Sequence, residues 1–178
     1  MKKNKGMILV YTGNGKGKTT SALGTALRSI GYDWKVCMIQ FIKGDWHYGE
    51  IESIRLLGSN MELYRMGKGF YHIMGDDQPE EEHRKAAENA LEFARKKMLS
   101  GQYQLIILDE VLVSVHVKML EEEALIDFLK DKPHAVHVIL TGRGASERII
   151  EYADLVTEMK EIKHPFQKGI PAVKGIDF

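Results

Sequence analysis

A glycine-rich loop between an apolar run and an amphipathic stretch constrains the fold of this chain most strongly. Residues 7–11 are apolar, and residues 12–20 read Thr-Gly-Asn-Gly-Lys-Gly-Lys-Thr-Thr. The short apolar run predicts a buried strand. Apolar residues at helical spacing predict a helix over 19–30, with Gly31 as its C-cap. A strand, a glycine loop and a helix in this order are the context in which such a loop binds phosphate.

The composition of the loop predicts how it would hold a nucleotide. Its glycines let backbone N–H groups turn inward around phosphate oxygens, and the helix N-terminus adds a positive dipole end. Lys18 would place a charge on the phosphates, while the Thr19 hydroxyl can ligate Mg²⁺. The first glycine of the usual G-x-x-x-x-G-K-[ST] pattern falls on Thr12, and Lys18 stands where a dinucleotide fingerprint needs its third glycine. The predicted ATP-binding residues are Thr12, Gly13, Asn14, Gly15, Lys16, Gly17, Lys18, Thr19 and Thr20. The alternative is a glycine turn without a ligand.

An apolar run that ends in two carboxylates is the second chemical signal. Residues 105–110 read Leu-Ile-Ile-Leu-Asp-Glu. In phosphate-loop proteins an acid at such a strand end faces the Mg²⁺ beside the loop hydroxyl, and oxygen ligands suit this cation. The predicted metal ligands are therefore Thr19, Glu110 and Asp109, with Mn²⁺ as the alternative cation. Glu110 could instead activate water in a hydrolase, and Asp109 could simply cap the next segment.

The remaining pattern alternates strands with helices. Further strands are predicted at 35–42, 62–66, 105–108, 136–140 and 155–162, and further helices at 79–100, 120–129 and 146–152. Repeated units of this length imply right-handed crossovers and a largely parallel sheet. The predicted fold class is α/β, in a single domain over residues 1–178.

Charge and cysteine content exclude several classes of function. Lys and Arg total 25 and match the 25 Asp and Glu, so no net field favours nucleic acid or an anionic membrane. No apolar run is long enough for a signal peptide or a membrane span. The single cysteine, Cys37, cannot form an intramolecular disulfide, which fits a reducing compartment. We therefore expect a cytoplasmic protein without nucleic-acid or membrane partners.

Several motifs together resemble one known family. The ordered blocks are residues 13–20, Gln-Phe-Ile-Lys-Gly at 40–44, Leu-Asp-Glu at 108–110, Thr-Gly-Arg-Gly at 141–144, residues 153–159, and a tail with Lys-His-Pro-Phe at 163–166. This set resembles the corrinoid adenosyltransferases of the ATP:cob(I)alamin type over nearly the whole chain. The resemblance implies a three-layer, RecA-like P-loop fold and a homodimer. It also implies transfer of the 5′-deoxyadenosyl group of ATP to the Co(I) centre of a reduced corrinoid, releasing tripolyphosphate, in adenosylcobalamin biosynthesis or salvage.

The implied chemistry assigns roles to the loop and the acidic strand end. Co(I) is itself a strong nucleophile, so the protein must align the 5′-carbon and stabilise a polyanionic leaving group. The expected catalytic residues are Lys18, Lys16 and Glu110. A reduced flavoprotein is the expected electron donor. The competing functions are a Mg-dependent P-loop ATPase or kinase, and a non-catalytic nucleotide-binding module.

One block departs from the family pattern. Relatives usually read Gly-Phe-Thr-Trp where this chain has Gly-Phe-Tyr-His at 69–72. The resemblance implies that these aromatics lie near the lower face of the corrinoid, where they exclude the axial base so that Co(II) can be reduced. Phe70 and His72 are the expected corrinoid-binding residues, although the imidazole of His72 could itself approach cobalt.

Overall fold

A six-stranded parallel sheet forms the centre of the molecule. The computed structural model of the chain describes residues 5–44, 47–69 and 79–178. All pairings between neighbouring strands are parallel, and the spatial order is β3-β2-β4-β5-β1-β6. The strands are β1 (Ile8–Thr12), β2 (Val36–Gln40), β3 (Met61–Arg65), β4 (Leu105–Asp109), β5 (His137–Thr141) and β6 (Leu155–Glu158). The predicted α/β class and parallel sheet are confirmed.

The α-helices described in the structure alternate with these strands. They are α1 (Lys18–Ile30), α2 (Gly49–Leu56), α3 (Glu80–Leu99), α4 (Val111–His116), α5 (Glu122–Lys130) and α6 (Glu147–Tyr152). The sequence pattern missed α2 and α4. It also extended β6 to residue 162, which was wrong. After Glu158 the chain turns across the glycine loop, where the Met159 carbonyl accepts a bond from Gly15 N at 2.7 Å.

Two helical layers cover the sheet because its strands are apolar on both faces. Cys37 and Ile39 of β2 belong to one core with residues of α3, α4, α5 and α6, whereas Val36 and Met38 belong to a second core with residues of α1 and α2. Strands buried on both sides in this way are typical of parallel sheets. The result is the expected three-layer arrangement.

The strand order brings polar residues together at one edge of the sheet. Gln40 lies opposite Asp109 in the register of β2 and β4, and Leu108 lies opposite Leu140 in that of β4 and β5. Asp109 therefore ends its strand beside Thr141. The carboxyl end of β1, which leads into the glycine loop, lies next to β5. Ligands of open α/β sheets bind at this edge.

Candidate active site

The glycine loop between β1 and α1 is held against the chain segment that leaves β6. Gly13 and Gly17 have positive φ angles of 97° and 107°, which favour glycine. A Cβ atom at Gly13 would lie 2.5 Å from the Met159 carbonyl oxygen. Thr12 is buried, with 8% exposed. Because it is the last residue of β1, the loop itself begins at Gly13. This close approach explains the glycine at position 13 without reference to a ligand.

Lys18 lies folded back over the loop. Its Nζ atom donates hydrogen bonds to the carbonyl oxygens of Gly13 at 2.9 Å and Gly15 at 2.8 Å. The residue is 7% exposed, and burial lowers the pKa of its ammonium group, with Glu110 acting in the opposite direction. A buried cation with only neutral carbonyl partners in these two bonds is well suited to receive an anion.

Asp109 joins the loop helix to the centre of the sheet. Its Oδ1 atom accepts hydrogen bonds from the hydroxyls of Thr19 and Thr141, both at 2.8 Å. Its Oδ2 atom accepts from Gln40 Nε2 at 3.2 Å. Asp109 is fully buried. The structure thus brings two of the predicted metal-site residues, Thr19 and Asp109, into direct contact.

Glu110 turns away from the strand and lines the same cleft. It adopts a left-handed conformation with φ of 61°, and its backbone N–H donates to Thr141 Oγ1 at 2.9 Å. Burial, and then the neighbouring charge of Asp109, raise the pKa of the Glu110 carboxyl group. A bound cation would offset both effects. Hydroxyl and carboxylate oxygens also form the donor set that Mg²⁺ prefers, so these residues fit the predicted metal.

No cluster of three His, Cys, Asp or Glu side chains suited to a metal occurs within 5–44, 47–69 and 79–178. A cation beside Thr19 would take part of its coordination from the oxygens of a bound phosphate. This is the usual arrangement for Mg²⁺, which is held by one or two carboxylates together with substrate phosphates.

A cleft of about 870 Å³ extends from the glycine loop between α1 and α2. Its polar end includes loop residues 14–20, Glu110 and Arg143. Apolar side chains line the other part, namely Leu23, Leu27, Ile54, Leu57 and Met61. A polar end beside an apolar wall is suited to a ligand that combines phosphates with a nucleoside.

Lys43 and Glu50 are charged residues at the cleft that were not predicted as site residues from the sequence. Lys43 follows β2 and lies 2.5 Å from Glu50 Oε1 at the start of α2, and 3.6 Å from Asp109 Oδ2. Gln40 Nε2 also contacts Glu50 Oε1 at 3.4 Å. Lys43 belongs to a motif that supported the family resemblance, which was the available signal for it.

The C-terminal segment contributes another wall of the cleft. Residues 175–178 line it, and the Asp177 carboxylate forms an ion pair with Lys16 of the glycine loop. The backbone N–H of Val173 donates to the second oxygen of Asp177 at 2.7 Å. The Lys16 hydrogen bond and then this backbone bond lower the pKa of Asp177. Phe70 and His72 lie outside the described residues, so their predicted contact with the corrinoid stays a prediction.

Comparison with known proteins identifies related sequences over the whole chain. A family model described as ATP:corrinoid adenosyltransferase BtuR/CobO/CobP matches residues 4–178. A corrinoid adenosyltransferase of Sinorhizobium sp. is 40% identical over 176 residues, which cover 98% of this chain and 81% of that protein. A corrinoid adenosyltransferase of Escherichia coli K12 is 38% identical over 174 residues, covering 98% and 86% of the respective chains.

Solved structures with a similar fold are more distant in sequence. A KaiC-like protein, PH0186 of Pyrococcus horikoshii, superposes with a TM-score of 0.57 at 17% identity, covering 86% of this chain and 73% of that one. The flagellar accessory protein FlaH of Methanocaldococcus jannaschii gives 0.55 at 13% identity, covering 87% and 71%. These neighbours support the RecA-like P-loop fold alone.

Proposed function

This chain belongs to the ATP:corrinoid adenosyltransferase family, and from that premise we propose that it transfers the 5′-deoxyadenosyl group of ATP to a reduced corrinoid. In this reaction Co(I) gives its electron pair to the 5′-carbon of ATP, and the bond from that carbon to the triphosphate oxygen breaks. The oxygen keeps the bonding pair, so tripolyphosphate leaves and the cobalt becomes formally Co(III). Because cobalt is the nucleophile, the protein needs no nucleophilic side chain for this step.

The observation that carries this proposal is the buried Lys18 beside the Thr19–Asp109 contact. Lys18 and Thr19 line the polar end of a cleft that is large enough for a nucleotide, and Asp109 lies directly behind Thr19. A leaving group with several negative charges requires fixed positive charge and N–H donors where that charge develops. Lys18 and Lys16, together with the backbone N–H groups of residues 13–20, are positioned to supply them. One such donor is typically worth about 3 kcal/mol in the transition state.

Mg²⁺ is the proposed cation of this site, with Mn²⁺ as the alternative. Thr19, Glu110 and Asp109 would hold it, and it would neutralise charge on the triphosphate. Asp109 already accepts the Thr19 hydroxyl bond. That contact supports a role in orienting Thr19. Of the two carboxylates at the end of β4, Glu110 is the one that lines the cleft.

Further parts of the proposal rest on the family resemblance and on the sheet. One six-stranded sheet takes strands from residues 8 to 158, which supports a single domain over 1–178. A homodimer and a reduced flavoprotein electron donor are proposed from the family. No helix among the described residues is long and apolar enough to cross a bilayer.

An ATPase or kinase activity is the second candidate, and one observation favours it. The raised pKa of Glu110 would suit a general base that accepts a proton from water or a hydroxyl group. The products distinguish the two functions, because hydrolysis yields ADP and phosphate whereas adenosyl transfer yields tripolyphosphate. Binding of ATP without any turnover would indicate a non-catalytic module.

The deciding experiment is anaerobic incubation with ATP, Mg²⁺ and a chemically reduced corrinoid. We expect the absorption spectrum of the adenosylated product and one tripolyphosphate for each corrinoid converted. Lys18→Ala should reduce the rate by at least about a hundredfold, because it removes the buried charge at the phosphates. Lys35→Ala, at an exposed position outside the cleft lining, is the matched control. ADP formation in place of tripolyphosphate would refute the transferase assignment.

A further inference from the structure

A largely buried lysine in the lining of the cleft has partners that belong to the protein. The side chains of Lys43 and Glu50 are each 12% exposed, and they form an ion pair of 2.5 Å. The same ammonium group lies 3.6 Å from Asp109 Oδ2 and 4.6 Å from the centre of the Tyr48 ring. Lys43 is therefore placed between two carboxylates and the face of an aromatic ring.

The amide of Gln40 shows how strongly this arrangement is constrained. It donates toward both Asp109 and Glu50, while its own Oε1 atom is buried without a hydrogen-bond partner among the described residues. The reverse orientation would place the amide oxygen against two carboxylates. An unpaired buried acceptor is costly and is rare in native structures. In this orientation the Gln40 amide leaves its own oxygen unpaired, but it donates to the carboxylates of Asp109 and Glu50.

The contacts form a continuous path from α2 to α1. Glu50 lies in the first turn of α2 and binds Lys43, which approaches one oxygen of Asp109. The other oxygen of Asp109 accepts the Thr19 hydroxyl bond in the first turn of α1. The helices at the two ends of this path form facing walls of the cleft. Removing one charge from a largely buried set of ion pairs is unfavourable, so these side chains favour the arrangement in which all the charges are paired.

We propose that Lys43 is a positioning residue for the proposed adenosyl transfer: it fixes Asp109, and through Asp109 the Thr19 hydroxyl, in the arrangement that receives the metal–triphosphate. Lys43 acts through Asp109 and does not bind phosphate itself. Its partners, Glu50 and Asp109, also connect the placement of Thr19 to the position of α2. The inference rests on the proposed function for its substrate, but its main test measures only ATP binding.

Calorimetric titration of the protein with ATP, once with Mg²⁺ and once with a chelator, separates a positioning role of Lys43 from direct binding of phosphate. In the wild-type protein Mg²⁺ should strengthen ATP binding. Lys43→Met should reduce that gain by about tenfold, since it removes the cation that lies 3.6 Å from Asp109 Oδ2. ATP binding in the chelator should change less than about threefold. Lys43→Arg should recover most of the gain, because it keeps the charge.

Variants of α2 provide the matched comparison. Glu50→Gln should reduce the Mg²⁺-dependent gain by roughly threefold, because the amide holds Lys43 less strongly than the carboxylate. Glu52→Gln, on the same helix, removes an exposed ion pair with Arg55 and should leave the gain unchanged. If Lys43→Met does not fold, the Mg²⁺-dependent gain in ATP affinity of Lys43→Arg and Glu50→Gln tests the proposal instead.

Two results would overturn the proposal. A full Mg²⁺-dependent gain in Lys43→Met and in Glu50→Gln would show that Lys43 is only a packing residue. Equal losses of ATP affinity with and without Mg²⁺ would show that Lys43 binds phosphate directly. Failure of the proposed function gives a different pattern, because the wild-type protein would then bind ATP with Mg²⁺ and form no adenosylated corrinoid.

Discussion

The hydroxyl group of Thr141 offers a direct test of how the polar edge of the sheet is stabilised. Thr141 is fully buried at the end of β5. Its hydroxyl donates to Asp109 Oδ1 at 2.8 Å and accepts from the backbone N–H of Glu110 at 2.9 Å. Thr141→Val keeps the shape of the side chain and removes both hydrogen bonds.

The expected loss follows from the two groups that are left without a partner. A hydrogen bond to a charged group is worth about 1.5–3 kcal/mol, and a buried N–H without an acceptor costs about 1–3 kcal/mol. These contributions share one hydroxyl and do not add fully. We therefore expect Thr141→Val to lower the free energy of unfolding by about 3 kcal/mol. Thr141→Ser keeps the hydroxyl and loses one methyl group, which costs about 1 kcal/mol.

Urea unfolding at neutral pH measures the difference between the two variants. Thr141→Val should unfold about 2 kcal/mol more easily than Thr141→Ser, with an unchanged dependence on urea concentration. A difference below about 0.5 kcal/mol would contradict the reasoning. It would show that Asp109 and the backbone of Glu110 lose little when the hydroxyl is removed.

Four further variants test other parts of the structure. Gly15→Ala should largely abolish ATP binding in calorimetry, because its Cβ would lie 2.8 Å from the Met159 carbonyl oxygen. At Gly17 a Cβ has room, 3.5 Å from the Met159 sulfur, so Gly17→Ala should cost only the strain of the positive φ of 107°, about 1–3 kcal/mol of stability. Hydrogen bonds from Tyr103 and then Tyr64 lower the pKa of Glu62 from 4.5 to about 2. The wild-type protein should therefore hold an advantage over Glu62→Gln above about pH 5 and lose it as the pH falls toward 2. Because the side chain is 40% exposed, that advantage is about 1 kcal/mol, and equal acid unfolding curves would contradict it. Asp177→Asn should strengthen ATP binding by up to about fivefold by releasing Lys16 to the phosphates, and weaker binding would instead show that the ion pair holds the cleft together.

The parts of the site that the sequence predicted are those encoded by adjacent residues. The glycine loop and the acidic strand end each combine a local pattern with a known chemical use. For the loop, steric contacts and phosphate binding require glycine at the same places. The contact between Thr19 and Asp109 was also predictable, because the end of a parallel strand and the first turn of the loop helix meet at one edge of the sheet.

The missed elements carry weak or misleading local signals. Residues 111–116, Val-Leu-Val-Ser-Val-His, are rich in β-branched side chains and favour a strand, yet they form α4. Burial of Val111 and Leu112 against the sheet core stabilises this helix in spite of its composition. The α2 helix has only eight residues, and its Leu56 is 88% exposed, so its apolar spacing is incomplete. Packing in three dimensions decides both cases.

The partners of Lys43 could not be found without the strand order. Glu50 and Asp109 are separated from Lys43 by 7 and 66 residues respectively, and the structure brings all three together because β2 pairs directly with β4. No spacing rule links a lysine after one strand to an aspartate at the end of its neighbour. The sequence could place Lys43 and Asp109 at the ends of their strands, but it could not place Glu50 or identify which charges meet.

The positive charges around the cleft differ in how easily a triphosphate can recruit them. Lys16 is half exposed and paired with Asp177, while Lys18 is held by two neutral carbonyl oxygens. Exchanging such partners for phosphate oxygens costs little, because a partly exposed pair is worth at most about 1 kcal/mol and the carbonyls carry no net charge. Lys43 is held by the largely buried Glu50 and the fully buried Asp109, and removing it would leave Asp109 without this nearby cation in the interior. ATP should therefore draw Lys16 and Lys18 onto its phosphates while Lys43 stays in place, so that the lining of the cleft around Lys43 keeps its geometry as the loop rearranges.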